Sequence, residues 1–277
     1  MLVDGKAIAQ DIRNKTARAL GAFSTPPQLA IVIVGENPVI ESFVRIKKRV
    51  GESLSIPVIE QRFPGDADEG TVLAGVQKLA NDKRIAGIII QLPLPSHITA
   101  QKILDAVPTA KDVDMLASNS VAAFRRGDGI IIPPIAGAIQ EILERHDVHI
   151  AGKDVLIIGH GRLVGVPAEL FFRHNDTHVT VVGREVVRLG ELTREADIII
   201  CGAGQQGLLQ PKMLKPGVVV IDAGTSEQGG KIVGDADPKC ADVASMFTPV
   251  PGGVGPIAVA LIFKNLLVLA QKYKVEP

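Results

Sequence analysis

Lys47 stands four residues after Phe43 in the run Phe43-Val44-Arg45-Ile46-Lys47. On a helix these two positions share one face, so an aromatic ring and an ammonium would point into the same space. Such a pair can stack on a flat heterocycle and offer it a proton or a positive charge. The competing reading is structural, with Phe43 in a core and Lys47 solvated beside Lys48 and Arg49. Gln91 closes the apolar run AGIIIQ and is followed at once by Leu92-Pro93-Leu94-Pro95. Its amide both donates and accepts, so it can orient a neighbouring amine; otherwise it is a capped, partly exposed glutamine. Lys111-Asp112-Val113-Asp114 brings two carboxylates together in a loop. No third ligand lies at a suitable spacing, so no metal is predicted. One of the two could instead accept hydrogen bonds from an amino-pyrimidine edge.

Two glycine clusters add a second kind of chemistry. Gly159-His160-Gly161-Arg162-Leu163-Val164-Gly165 follows a strand-like run and opens a helix-like one. Glycines there let backbone amides approach a pyrophosphate at a helix N-terminus, although a strand-to-helix turn also needs glycine for packing alone. The spacing is one residue longer than the usual dinucleotide fingerprint. At the end of the next strand-like run, Arg184 could meet the 2′-phosphate of NADP or simply be solvated, and His160 could approach a phosphate or face solvent. Residues 248–256, TPVPGGVGP, hold three glycines and three prolines in nine positions. A loop so specified in its backbone suits close approach to a flat ligand.

These groups need a scaffold, and the apolar pattern supplies one. Strands are predicted at 28–34, 58–63, 86–91, 154–159, 178–182, 196–201 and 218–224. Helices are predicted at 3–21, from Pro38, at 69–81, at 135–145, after the glycine turn to about 174, and at 256–273. This β-α-β rhythm predicts an α/β fold of two domains. One is an α/β substrate domain, the other a Rossmann-type doubly wound parallel sheet, with ligand in the cleft between them. The boundary is expected at residues 145–152, RHDVHIAG, with the last helix returning to the first domain. The domains would then be 1–145 plus 256–277, and 146–255.

Composition fits that scaffold. Of 277 residues, 46% are apolar but only 3% aromatic, with no Trp, so the core must be aliphatic, as buried parallel strands require. Thirty basic and thirty acidic residues cancel, which leaves no footprint for nucleic acid or an anionic membrane. Early charges at Asp4, Lys6 and Asp11 argue against a signal peptide. No apolar run is expected to reach membrane length, since 257–270 is interrupted by Lys264 and Asn265. Cys201 and Cys240 form no metal or disulfide pattern and read as small buried hydrophobes in a reducing, cytoplasmic setting.

Taken in order, VGENP, FVxxK, QLPLP, KDVD, the glycine turn with VGxP, and PVPGGVGP resemble the bifunctional methylenetetrahydrofolate dehydrogenase/methenyltetrahydrofolate cyclohydrolase (FolD) family over nearly the whole chain. The resemblance implies oxidation of 5,10-methylenetetrahydrofolate to the methenyl form with NADP, then hydrolysis to 10-formyltetrahydrofolate, by a homodimer. It places the catalytic lysine at Lys47, its partner at Gln91 and the pterin-binding carboxylate at Asp114. It assigns substrate contacts to Phe43, Lys47, Ile90, Gln91, Leu92, Asp114, Pro251, Gly252, Gly253, Val254 and Gly255. Cofactor contacts fall on Gly159, His160, Gly161, Arg184 and Thr225. The chain departs from the family pattern at Phe43 for a tyrosine, Ile40 for a serine and Ala258 for a threonine. It also departs across 132–137, in the glycine turn, and at Val182-Gly183-Arg184. Against the bifunctional reading stand a single-activity cyclohydrolase, a non-catalytic folate- or nucleotide-binding relative, and an unrelated shikimate-type dehydrogenase.

Overall fold

The computed structural model of the chain describes residues 1–229 and 231–274. It divides into two compact units, Gln10–Pro134 with Val259–Pro277, and Met1–Ala9 with Ile135–Ala258. The division falls inside the first helix, α1 (Gly5–Leu20), and inside the last.

The unit built on Gln10–Pro134 holds β1 (Gln28–Val34), α2 (Pro38–Ser53), β2 (Val58–Phe63), α3 (Glu69–Asn81), β3 (Ile85–Ile90), α4 (Ala100–Asp105) and α5 (Ser118–Arg126). The strands run parallel in the order β2-β1-β3. Every residue of β3, and all of β1 but Gln28, is buried, which is why both read as unbroken apolar runs. Asn37 starts α2: its side chain accepts from the N–H groups of Val39 at 2.9 Å and Ile40 at 3.2 Å. Pro38 occupies the first turn, where a missing N–H costs nothing. Ile40, Val44, Lys47 and Gly51 then form the buried stripe of α2, at intervals of four, three and four residues.

The other unit holds α6 (Pro134–Arg145, from its second residue), β4 (Asp154–Ile158), α7 (Gly165–Arg173), β5 (His178–Val182), α8 (Leu189–Glu195), β6 (Ile198–Cys201), β7 (Val219–Asp222), the hairpin β8 (Ser226–Gln228) and β9 (Lys231–Val233), and β10 (Met246–Phe247). Five strands form one parallel sheet in the order β10-β7-β6-β4-β5. β5 lies on one side of β4 and β6 on the other, so the strand order reverses between β4 and β6. That is the switch point of a Rossmann-type sheet, and ligands bind outside the carboxyl ends of the strands there. The N-terminal segment extends this sheet, with Val3 N donating to Phe247 O and Phe247 N to Met1 O, both at 2.9 Å.

The last helix, α9 (Val254–Tyr273), corrects one expectation. It is long and apolar enough to cross a membrane, with mean hydropathy 1.8, yet 67% of its apolar window is buried inside the protein. Asn265, read as an interruption, is only 5% exposed, and its amide donates to the carbonyls of Val113 at 3.0 Å and Ile132 at 2.9 Å. A helix buried on most sides needs apolar residues nearly all round, and this one hides its polar residue by pairing it.

Candidate active site

α2 carries Lys47 on its apolar stripe, so the amine enters the interior instead of water. The residue is 8% exposed, whereas its neighbour Lys48 pairs with Glu60 at 2.5 Å. Lys47 Nζ donates to Gln91 Oε1 at 2.9 Å. Gln91 lies one residue beyond β3, its backbone N–H bonded to Val32 O at 2.9 Å as an extension of the sheet. Its amide nitrogen donates to Leu92 O at 3.1 Å, which fixes the amide so that its oxygen faces the lysine. The solvated reading of Lys47 and the merely capped reading of Gln91 therefore both fall. Phe43 is half-buried one turn earlier, its ring centroid 6.0 Å from Lys47 Nζ. That distance sits at the outer edge of a cation–π contact and leaves part of the ring open.

The two aspartates of the KDVD loop separate into different roles. Asp112 is 3% exposed and accepts from the N–H groups of Ala117 at 2.9 Å and Leu116 at 3.3 Å, so it builds the loop. Asp114 keeps partial exposure, and among the described residues no hydrogen bond occupies its carboxylate. Burial pushes its carboxyl up to about 6; Lys47 pulls it down and Asp112 pushes it further up. Burial likewise lowers the Lys47 amine from the usual lysine range, with Asp114 opposing. A lysine depressed by desolvation and a carboxyl raised by it are what proton transfer near neutral pH requires.

Among the remaining expected substrate residues, Ile90 belongs to the aliphatic core at 3% exposure, and Leu92 packs partly against the same core. The 248–256 loop lies in the other unit. Gly252 has φ 115° there, a left-handed value that favours glycine, and Gly253 N–H bonds back to Pro249 O at 2.7 Å. Pro251 and Gly255 are exposed, and Val254 is buried as the first residue of α9.

The glycine turn sits at the carboxyl end of β4. Gly159 has φ 102°, and a Cβ there would collide with Gly202 of the loop after β6. A Cβ on Gly165 would collide with Gly159 O, so neither position has room for a side chain at the switch point. Gly161 differs, since nothing lies within 4 Å of where its Cβ would be. That leaves open backbone at the mouth of α7, as a pyrophosphate requires. Arg184, just after β5, is exposed and makes no ion pair or hydrogen bond among the described residues; Thr225, after β7, is exposed too. His160 donates to Glu169 Oε2 at 3.0 Å, and Glu169 also binds Arg173 at 2.8 Å, so the imidazole is engaged by the helix that follows it, α7. Gly159, Gly161, Arg184 and Thr225 thus share one edge of the sheet and fit a phosphorylated dinucleotide. Sequence reasoning missed Asp222 and Asp235, both buried at that edge. Their only signal was an aspartate near a glycine in VIDAG and VGDAD.

The family model for the tetrahydrofolate dehydrogenase/cyclohydrolase catalytic domain matches residues 3–114, and that for its NAD(P)-binding domain matches residues 133–274. The chain belongs to this family. It is 36% identical over 276 residues to the bifunctional protein FolD of Polaromonas naphthalenivorans, covering 98% of each chain. The bifunctional FolD methylenetetrahydrofolate dehydrogenase/cyclohydrolase of Campylobacter jejuni superposes with a TM-score of 0.94 at 32% identity, over 99% of each chain. The Trypanosoma brucei enzyme, complexed with NADP and an inhibitor, superposes at 0.93 with 29% identity, over 99% of this chain and 98% of that one. The tetrahydrofolate dehydrogenase/cyclohydrolase assignment makes this chain an enzyme with a NAD(P)-binding domain. It also removes the shikimate-type reading.

Proposed function

We propose that the chain oxidises 5,10-methylenetetrahydrofolate to 5,10-methenyltetrahydrofolate with NADP and hydrolyses the product to 10-formyltetrahydrofolate. The observation that carries this reading is the buried Lys47 amine, held on Gln91 Oε1 and biased by Asp114. Asp114, whose carboxylate carries no hydrogen bond among the described residues, accepts from the amino-pyrimidine edge of the folate, and the open part of the Phe43 ring offers a stacking face. Ile90 and Leu92 complete the substrate surface of this unit. In the hydrolytic step, water oxygen bonds to the cationic methenyl carbon and Lys47 takes one of its protons. The carbon–N5 bond breaks, N5 receives a proton from the Lys47 ammonium, and the second water proton leaves to solvent. Gln91 keeps the amine aimed throughout.

NADP, when bound, supplies the hydride acceptor. Gly159 and Gly161 would hold its pyrophosphate, Arg184 its 2′-phosphate, and Thr225 the neighbouring sheet edge, with His160 joining only on leaving Glu169. Residues 1–145 with 256–277 would serve folate and 146–255 the cofactor; residues 275–277 lie outside the described residues. A cytoplasmic homodimer without nucleic-acid or membrane partners is part of the same reading. The zero formal net charge and the burial of α9 support the part of it that concerns nucleic acid and membrane. A spectroscopic assay with methylenetetrahydrofolate tests the proposal. Formation and decay of the methenyl chromophore with NADP is expected, and no turnover with either nicotinamide cofactor would overturn it.

A further inference from the structure

The carboxyl edge of the five-stranded sheet hides two carboxylates among backbone amides. Asp222, the last residue of β7, is 1% exposed, and Asp235 is 0% exposed. Asp235 accepts from three consecutive N–H groups of the loop after β6: Ala203 at 2.6 Å and Gly204 at 3.1 Å on Oδ2, and Gln205 at 2.8 Å on Oδ1. Asp222 accepts from Gly224 at 2.9 Å and Ala236 at 2.8 Å. Its own backbone is clamped by Thr248 Oγ1, which accepts from Asp222 N at 2.7 Å and donates to Asp222 O at 3.2 Å. The two carboxylates interlock through glycines: a Cβ on Gly224 would strike Asp235, and one on Gly234 would strike Asp222.

Burying two carboxylates this close is costly, and burial pushes both carboxyls up, Asp222's to about 6. A loop that needed only to be closed could be closed with neutral groups at less cost. What the arrangement adds is placement. The loop that Asp235 grips abuts Gly159, since the Cβ position of Gly159 falls on Gly202 O and Ala203 N across the β4–β6 switch point.

We propose that Asp235, backed by Asp222, is a positioning residue for the nicotinamide cofactor, setting the 203–205 amides against the Gly159 turn. This rests on the NADP reading above, and the experiment separates the two. In wild type, dehydrogenase turnover with NADP checks that reading by itself. In Asp235→Asn, which keeps the shape but loses acceptor capacity, the KM for NADP should rise about tenfold or more, the scale of a lost hydrogen bond to a charged group. The cofactor-free cyclohydrolase rate should fall much less. An unchanged KM for NADP, or equal losses in both activities, would overturn the positioning role. Amide exchange in wild type supplies a measurement independent of variant folding. Ala203, Gly204 and Gln205 should be protected before NADP is added, and exchange at free-peptide rates would overturn the proposal.

Discussion

Lys47 Nζ lies 2.9 Å from Gln91 Oε1, joining the middle of α2 to the end of β3 across 44 residues of sequence. Neither residue is shaped for the other by local structure; the apolar stripe of α2 delivers one and the sheet delivers the other. Gln91 offers a neutral acceptor, so the amine is oriented without being held in its charged form. Replacing that acceptor with a carboxylate removes the distinction. In Gln91→Glu, the new charge should raise the Lys47 pKa and move the alkaline-rising limb of the cyclohydrolase pH profile up by about one to two pH units. A pH–rate profile of both proteins checks this, and an unmoved limb would remove Gln91 from the control of Lys47.

Asp114 gives a prediction of opposite sign in binding and in stability. Its carboxyl titrates at about 6 in the folded protein, above the ordinary 3.8. The ionised form is the one that accepts from the folate, so the wild-type KM for folate should climb as pH falls through about 6. In Asp114→Asn the KM should be higher, by about tenfold, and nearly flat with pH. For stability, a raised folded pKa favours the fold below the unfolded pKa, and that contribution is lost as pH rises through about 6. Asp114→Asn should therefore melt higher than wild type at pH 8, by on the order of 1–2 kcal/mol, and gain nothing at pH 4. Thermal melts at the two pH values decide it.

Arg184 stands exposed beyond β5 with no partner among the described residues. Arg184→Ala should weaken NADP by about tenfold to a hundredfold, the worth of a charge-assisted phosphate contact of ~1.5–3 kcal/mol, and should spare NAD. Dissociation constants for both cofactors in wild type and variant measure this. Equal losses would show that the guanidinium meets a part the two cofactors share, and a wild type that prefers NAD would contradict the NADP assignment.

How much the sequence revealed follows from where the information lies. β1 and β3 were legible because parallel strands buried on both faces leave unbroken aliphatic runs, and the predicted bounds of β1, β2 and α3 match the structure. α5 was not predicted: SNSVAAFRR buries only Ser120 and Phe124, and the helix is ended by Gly127 in a left-handed conformation, at φ 81°. The β8–β9 hairpin is short and polar and gives no alternating apolar signal. In the site, Phe43, Lys47, Gln91 and Asp114 could be singled out as chemistry-bearing types, but burial of the lysine is a tertiary fact. The Asp112–Asp114 distinction is tertiary as well, because it depends on which carboxylate the loop amides consume. In sequence Asp222 falls within a strand-like run and Asp235 resembles a turn residue, and only the return of distant loops shows what they hold. The pairing of His160 with Glu169, nine residues on, is likewise a contact that the sequence does not signal.

The central claim is that Lys47 moves the proton in the hydrolytic step while hydride transfer depends mainly on geometry. Lys47→Met keeps the length and apolar stem of the side chain and removes the amine. Assayed for both half-reactions, this variant should lose methenyltetrahydrofolate hydrolysis by a factor on the order of 10²–10⁴, the range for a positioned acid–base group. Methenyl formation with NADP should persist at a smaller loss, so that the methenyl chromophore accumulates. Hydrolysis at the wild-type rate in a folded Lys47→Met protein would contradict the account.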